Sequence, residues 1–281
     1  MFNTLYLKFG NVPCRSITEQ DILLFMNDNG TKRFNMRYTQ PNALKPGEGD
    51  IIAWFNTPFL EPINALLSPK LGYSPLLYQS SSNSGGYRFF KEANEYEKFR
   101  TAISMYSDLV FLRDCLDLSI ALSMHESIPD VRTELGEAEY QVKYYQPQGE
   151  HLQLLIDQMQ YWIETLPYFK HADCICCIPS SRPFMRDIVN YLKGFRFENI
   201  SEKVNWLNKN DEIKGKPTEE KLRLLKQFCL QVDCDVQGKA VLLVDDMYQS
   251  GLTMQYVAMT MKQLGAKYVF GISLVKALTN A

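Results

Sequence analysis

The segment 240–253, AVLLVDDMYQSGLT, carries most of the information about fold and function in this sequence. It opens with an unbroken run of five apolar residues, continues with two adjacent carboxylates, Asp245 and Asp246, and reaches a glycine at Gly251. Unbroken apolar runs are typical of strands that are buried on both faces of a parallel sheet. The segment therefore predicts a buried strand, a tight turn and a helix that begins near Thr253.

The turn after the two carboxylates has the properties of an anion site. Backbone N–H groups converge at the start of a helix, and the helix dipole adds partial positive charge there. Gly251 leaves room for a ligand near the main chain, and the hydroxyl groups of Ser250 and Thr253 can donate hydrogen bonds to a phosphate. Since Asp245 and Asp246 would repel that phosphate, we expect them to accept hydrogen bonds from vicinal sugar hydroxyls instead.

Strands and helices alternate around this segment. The pattern predicts strands at 174–178, 240–244 and 268–275, and helices at 184–192 and 253–264. Such alternation is typical of an α/β fold with a parallel sheet flanked by helices, in which ligands bind at the carboxyl ends of the strands. We expect this domain to cover residues 147–281, because a polar turn at 147–150 precedes a new helical run.

The stretch VLLVDDMYQSGLT resembles the phosphoribosyl diphosphate (PRPP) motif of type I phosphoribosyltransferases, and residues 150–281 resemble the ComF-like branch of that family. The resemblance implies that Asp245 and Asp246 hold the ribose hydroxyls. It implies that the 5′-phosphate is bound by Gln249, Ser250, Gly251, Leu252 and Thr253. It also implies Mg²⁺ as cofactor, held mostly by water and substrate oxygens, so no side chain is assigned as a direct metal ligand.

A second segment, CICCIPSSR at 174–182, stands where type I enzymes have their pyrophosphate-binding loop. The resemblance implies that Ser180, Ser181 and Arg182 bind the pyrophosphate. Hydroxyl groups and a guanidinium fork both suit diphosphate oxygens.

Two lysines, Lys214 and Lys216, lie in the segment 203–226. In the family this region closes over the diphosphate, so both lysines are candidates for pyrophosphate binding. The candidate catalytic residues are Asp245, Asp246, Arg182 and Lys216.

The sequence departs from the family pattern in two places. Hypoxanthine and guanine enzymes have an Asp that acts as the base toward the purine ring where this chain has Gln249, so we expect 6-oxopurine salvage to be disfavoured. Lys276 remains a candidate for contact with the base. Competence-type ComF proteins begin with a paired-cysteine zinc module, whereas this chain begins with residues 1–146, which we interpret as an unassigned mixed α/β domain. Within it, apolar spacing predicts a long amphipathic helix or helix pair from Phe99 to Ile120.

Composition limits the possible partners and the compartment. The 30 Lys and Arg against 32 Asp and Glu leave a net charge of −2, so no protein-wide positive field favours a nucleic acid. The seven cysteines form an odd set that we interpret as reduced, mostly buried thiols. The sequence has neither a secretory leader pattern nor an apolar run of the roughly 20 residues that a membrane span needs. These features predict a cytoplasmic protein.

The leading hypothesis is a phosphoribosyltransferase that moves the 5-phosphoribosyl group of PRPP to an unidentified nitrogen acceptor and releases pyrophosphate. Two alternatives stay open. One is a regulatory module that senses PRPP or a nucleotide, and the other is a nucleotide-consuming effector, such as a toxin or a component of bacterial antiviral defence, acting within a complex. The expected ligands are PRPP or a nucleoside monophosphate, and both a homodimer and a regulatory protein complex are compatible with the sequence.

Overall fold

A computed structural model describes residues 16–27, 33–34, 44–57, 60–78, 86–145, 148–180, 184–209, 213 and 215–278. The chain forms two compact units, a large unit of residues 1–29 and 114–281 and a small unit of residues 30–113. This division differs from the domain boundary expected at 146/147. The reason is that a strand at 118–124 pairs within the sheet of the large unit. The helix that follows at 134–144 packs on the same sheet.

The small unit contains strands and helices. They are β1 (Arg33–Phe34), β2 (Leu44–Pro46), β3 (Ala53–Thr57), α2 (Leu60–Leu71), β4 (Leu77–Tyr78), β5 (Gly86–Phe90), α3 (Ala93–Ser104) and β6 (Val110–Leu112), while α1 (Glu19–Asn27) belongs to the large unit. The strands β2, β3, β5 and β4 form an antiparallel sheet in that order, and β1 pairs with β6. In the core of this unit Phe99 contacts Phe55 edge to face and packs against Phe90 with the two rings tilted by 48°.

The large unit continues with further strands and helices from Asp114 onward. The strands are β7 (Leu118–Met124), β8 (Glu126–Ile128), β9 (Val131–Arg132), β10 (Cys174–Cys177), β11 (Glu198–Asn199), β12 (Val204–Trp206), β13 (Leu230–Val232), β14 (Ala240–Tyr248) and β15 (Tyr268–Lys276). The helices are α4 (Glu134–Tyr144), α5 (Glu150–Thr165), α6 (Pro167–Lys170), α7 (Phe184–Tyr191), α8 (Thr218–Phe228) and α9 (Leu252–Gln263).

Five strands of the large unit form a parallel sheet in the order β7, β15, β14, β10, β11. All nine residues of β15 are buried. Because successive residues of a strand point to opposite faces, this burial means that both faces of the sheet are covered. Helices α4, α5 and α7 and helix α9 provide the cover. The expected α/β architecture with a parallel sheet is therefore confirmed.

The region from Phe99 to Ile120 was expected to be helical, and this prediction is correct up to Ser104 and wrong beyond it. Only α3 is a helix there; β6 and β7 follow it. Apolar side chains in β7 are buried on both faces of the strand, so they produce a continuous apolar run that also fits helical spacing. Among the helices of the described residues, none combines the length and the apolar character needed to cross a membrane.

Candidate functional site

The carboxyl ends of neighbouring strands meet at one edge of the sheet in the large unit. In the strand register Asp245 lies opposite Ser273, and Tyr248 lies opposite Lys276. Lys276 in turn lies opposite Met124 at the end of β7. The acidic pair, the loop after it and Lys276 are thus brought to the edge at which parallel sheets bind ligands.

The two carboxylates form a compact acidic pair on β14. The backbone N–H of Asp246 donates to Asp245 Oδ1 at 3.0 Å, and that of Met247 donates to Asp246 Oδ1 at 2.7 Å. Burial raises the pKa of Asp245 well above its usual value, and the negative charge of Asp246 raises it further. A ligand that donates hydrogen bonds to this acidic pair would stabilise its ionised form, which burial and mutual repulsion disfavour.

A lysine from helix α4 contacts this pair. Lys143 Nζ lies 2.6 Å from Asp246 Oδ2 and 2.9 Å from Glu139 Oε1, one helical turn earlier. Burial works to lower the pKa of Lys143, but the charges of Asp246 and Glu139 outweigh it and raise the pKa above the usual value. Glu139 is almost completely buried, with 1% of its side chain exposed. Lys143 could not be predicted from the sequence because no motif includes it.

The predicted phosphate loop follows as Gln249 to Thr253, and α9 begins at Leu252. Gly251 adopts the left-handed conformation, with φ of 75°, and a Cβ atom there would overlap the hydroxyl group of Tyr248. The glycine is therefore required by backbone conformation and by packing against Tyr248, in addition to the ligand access that the sequence predicts. The first turn of α9 contains no acidic residue, which keeps this helix end favourable for an anion.

Lys276 is fully buried, and its ammonium group faces the backbone of the site. Its Nζ donates to the carbonyl oxygens of Gln249 at 3.0 Å and Ala277 at 2.7 Å. The candidate base contact thus holds the start of the phosphate loop in this structure.

A buried acid lies beneath the loop. Tyr248 Oη donates to Asp114 Oδ2 at 2.9 Å, and the backbone N–H of Leu116 donates to Asp114 Oδ1 at 3.0 Å. Burial raises the pKa of Asp114 to about 6, although both hydrogen bonds oppose the shift. Asp114 therefore contributes to the position of Tyr248, which in turn packs against Gly251.

We expect Asp114 to make the large unit less stable as the pH rises. An unfolded Asp ionises near its usual pKa, whereas the folded group ionises at about 6, so its stabilising effect is complete at low pH and is lost as the pH passes through 6. The loss between about pH 4.5 and pH 7 is roughly 2 kcal/mol by linkage.

Urea unfolding of the unchanged protein and of Asp114→Asn at both pH values measures this effect. The asparagine variant is expected to lose less stability over the interval by about that amount. Asp157→Asn, at an exposed position on α5, is the control that retains the full pH dependence. Equal pH dependence of the Asp114 variant and the unchanged protein would contradict the assignment.

The predicted pyrophosphate loop follows β10. Ser180 is exposed at the carboxyl end of this strand, whereas Ser181 and Arg182 lie outside the described residues. The indole Nε1 of Trp206 donates to the carbonyl oxygen of Pro179 at 3.0 Å, and the hydroxyl of Ser201 accepts from the N–H of Cys177 at 2.9 Å. These two contacts fix the start of the loop.

The lysines predicted to close over the diphosphate are only partly described. Lys214 lies outside the described residues, and Lys216 forms an ion pair with Glu220 at 3.1 Å at the start of α8. The segment around them is not one open loop, because β12 and β13 pair antiparallel on either side of α8.

No group of three or more His, Cys, Asp and Glu side chains is arranged as a metal site within the part of the chain that the structure describes. Cys174 and Cys177 have Cys-x-x-Cys spacing, but residues three apart in a strand point to opposite faces. Burial raises the pKa of both thiols to about 11, which disfavours the thiolate form that binds metals. Among the described cysteines four are buried, as expected of mostly buried thiols, whereas Cys229 is exposed and Cys234 is half-buried.

Part of this chain is similar to known proteins. Residues 146–278 match the family model described as phosphoribosyl transferase domain. A solved structure of a hypoxanthine-guanine phosphoribosyltransferase from Bacillus anthracis is similar at 17% sequence identity and a TM-score of 0.30, over 44% of this chain and 65% of that one. A search of curated proteins found no match. Residues 146–278 of this chain are thus similar to the phosphoribosyl transferase domain.

Proposed function

We propose that the large unit binds PRPP with Mg²⁺ at the carboxyl edge of its sheet and transfers the 5-phosphoribosyl group to a nitrogen acceptor. The observation that carries the proposal is the acidic pair, Asp245 and Asp246, directly before a left-handed Gly251 and a helix start, inside the matched domain. Carboxylates suit vicinal hydroxyls, and a helix N-terminus suits a phosphate. The two parts together fit a ribose 5-phosphate group.

In this reaction the bond between the anomeric carbon and the diphosphate oxygen breaks, and the diphosphate leaves with the electron pair. A bond forms between the anomeric carbon and the acceptor nitrogen, which gives up a proton. The transition state gathers positive charge on the sugar, so the chain's main tasks are to orient the ribose and to stabilise the leaving group. Asp245 and Asp246 orient the ribose, and the 249–253 loop holds its 5′-phosphate.

The side chains fit Mg²⁺ that is held mainly by substrate. Two adjacent carboxylates are present, yet the described residues contain no cluster that could form a complete protein cage. Mg²⁺ keeps several waters and commonly binds through phosphates, so substrate oxygens and water would supply most of its ligands here. When bound, the ion supplies positive charge to the departing diphosphate.

Pyrophosphate release from PRPP in the presence of a panel of nitrogen bases tests the proposal. The unchanged protein is expected to release pyrophosphate with at least one acceptor, and Asp245→Asn with Asp246→Asn is expected to release none. A folded protein that does not bind PRPP would contradict the proposed function.

A PRPP-sensing module is the second candidate, favoured by the two residues that would be expected to contact an acceptor base. Gln249 cannot accept a proton, and Lys276 is occupied with backbone carbonyls. Tight PRPP binding without pyrophosphate release from any acceptor would support sensing over transfer.

We expect hypoxanthine and guanine to be poor acceptors. A 6-oxopurine needs a proton acceptor near its ring nitrogen, and the amide of Gln249 provides none in the usable pH range. Gln249→Asp is expected to weaken phosphate binding, because it adds negative charge beside the N-terminus of α9, and to raise oxopurine turnover slightly. Initial rates of pyrophosphate release with each base measure both effects. Efficient turnover of either purine by the unchanged protein would contradict this prediction.

A further inference from the structure

We propose that Lys143 is a positioning residue of the ribose site, which orients the Asp246 carboxylate for a ribose hydroxyl and balances the charge of the acidic pair. This inference rests on the proposed function and extends it to a helix outside the matched residues 146–278. The contact that carries it is the one between Lys143 Nζ and Asp246 Oδ2, at 2.6 Å.

The geometry leaves Asp246 able to accept a ligand hydroxyl while Lys143 is bound. Asp246 Oδ1 accepts from the N–H of Met247, and Oδ2 contacts the ammonium group. A carboxylate has about four lone-pair sites, so these contacts and the one with the Asp245 carboxyl group leave acceptor capacity for a hydroxyl. The contacts fix the plane of the carboxylate, and 20% of the Asp246 side chain remains exposed. Lys143 therefore orients the acceptor without replacing the ligand.

The ammonium group of Lys143 offsets the negative charge of neighbouring carboxyl groups. Asp245, Asp246 and Glu139 bring three carboxyl groups together, and Lys143 contacts two of them. Glu139 is nearly buried, and within the described residues its Oε2 has no hydrogen-bond partner, with His125 Nε2 3.7 Å away. Without Lys143, repulsion among these groups would favour protonation of the pair and weaken its hydrogen bonds to a ligand.

Helix α4 is held firmly enough to position its lysine. The side chain of Thr133 caps the helix by accepting from the N–H of Gly136 at 3.0 Å, and its backbone N–H donates to the carbonyl of His125 at 3.0 Å. The N–H of His125 donates in turn to the carbonyl of Lys276 at 2.8 Å. A Cβ atom at Gly136 would overlap the His125 carbonyl, so this glycine permits the close approach. The helix is thereby attached to the end of β15, next to the acidic pair.

A double-mutant cycle on PRPP affinity tests the assignment. Lys143→Met, Asp246→Asn and the double variant are compared by calorimetry in the presence of Mg²⁺. We expect Lys143→Met to weaken PRPP binding about tenfold, as the loss of a charge-assisted contact predicts, and to have no further effect once Asp246 is replaced. Lys143→Arg, which keeps the charge, should recover affinity to within about threefold of the unchanged protein.

Controls separate this role from a contribution to folding. Lys170→Met removes an exposed lysine of the same unit and should leave affinity unchanged. If Lys143→Met does not fold, Glu139→Gln with Lys143→Met removes the buried pair together and replaces it in the cycle. Unchanged affinity on loss of Lys143, or a loss that adds fully to that of Asp246→Asn, would overturn the inference. Absence of PRPP binding by the unchanged protein would instead overturn the proposed function, and this inference with it.

Discussion

Asp245→Asn with Asp246→Asn is expected to abolish PRPP binding while the large unit stays folded. Each carboxylate is expected to make a charge-assisted hydrogen bond to a ribose hydroxyl, so the loss of both should cost about 3 kcal/mol or more, a weakening of over a hundredfold. Calorimetry with PRPP and Mg²⁺ measures the affinity, and thermal unfolding monitors the fold. Undiminished affinity in a folded double variant would exclude this pair as the ribose site.

The single variants should differ in stability. Burial and its neighbour's charge raise the pKa of Asp245, so its neutral replacement relieves repulsion and should not destabilise the unit. Asp246 has Lys143 as a partner, so Asp246→Asn removes an ion pair and should lower stability. Asp157→Asn with Glu164→Gln removes two charges at exposed positions of α5, as many as the double variant of the acidic pair, and is the matched control for that double variant.

The strands around the site could be predicted because their sequence pattern has one main interpretation. The apolar runs at 174–178 and 240–244 are too short for helices and are bounded by polar turns, so they indicate buried parallel strands. The structure has strands at Cys174–Cys177 and Ala240–Tyr248. The second is longer than expected, because pairing with β15 continues to Tyr248 through residues whose polarity suggests a loop.

Strand β7 could not be recognised in the same way. Its apolar side chains follow those of α3 and β6 at spacings that also fit a helix. Its partner β15 lies about 150 residues later, since Leu118 pairs with Phe270. Pairing over that separation depends on how the whole unit packs, and the local spacing of apolar residues gives no information about such distant contacts.

Two polar residues of the site could not be recognised from the sequence for a similar reason. Asp114 reaches Tyr248, and Lys143 reaches Asp246, from segments that precede the recognisable motif. A lone Asp before a strand and a lone Lys on a helix are ordinary surface residues in most sequences. Only the three-dimensional contacts distinguish them.

Gly251→Val should be more damaging to PRPP binding than Ser250→Ala. A β-branched residue is strained at a φ of 75°, and its side chain would overlap Tyr248, whose hydroxyl group is bonded to Asp114. We expect the loop to lose its shape and PRPP affinity to fall over a hundredfold, whereas loss of the Ser250 hydroxyl, one donor among several, costs about 1 kcal/mol.

Gly238→Val is the matched control for backbone strain alone, because Gly238 has a φ of 70° and open space around its Cβ position. Calorimetry and urea unfolding of the three variants separate the contributions. Gly238→Val should destabilise the unit and retain PRPP affinity, since strain at a site remote from the loop leaves the phosphate contacts unchanged. Gly251→Val should lose stability to a greater extent, because overlap with a buried ring adds to the same strain. Equal PRPP affinities of Gly251→Val and Ser250→Ala would argue against a phosphate site at the start of α9.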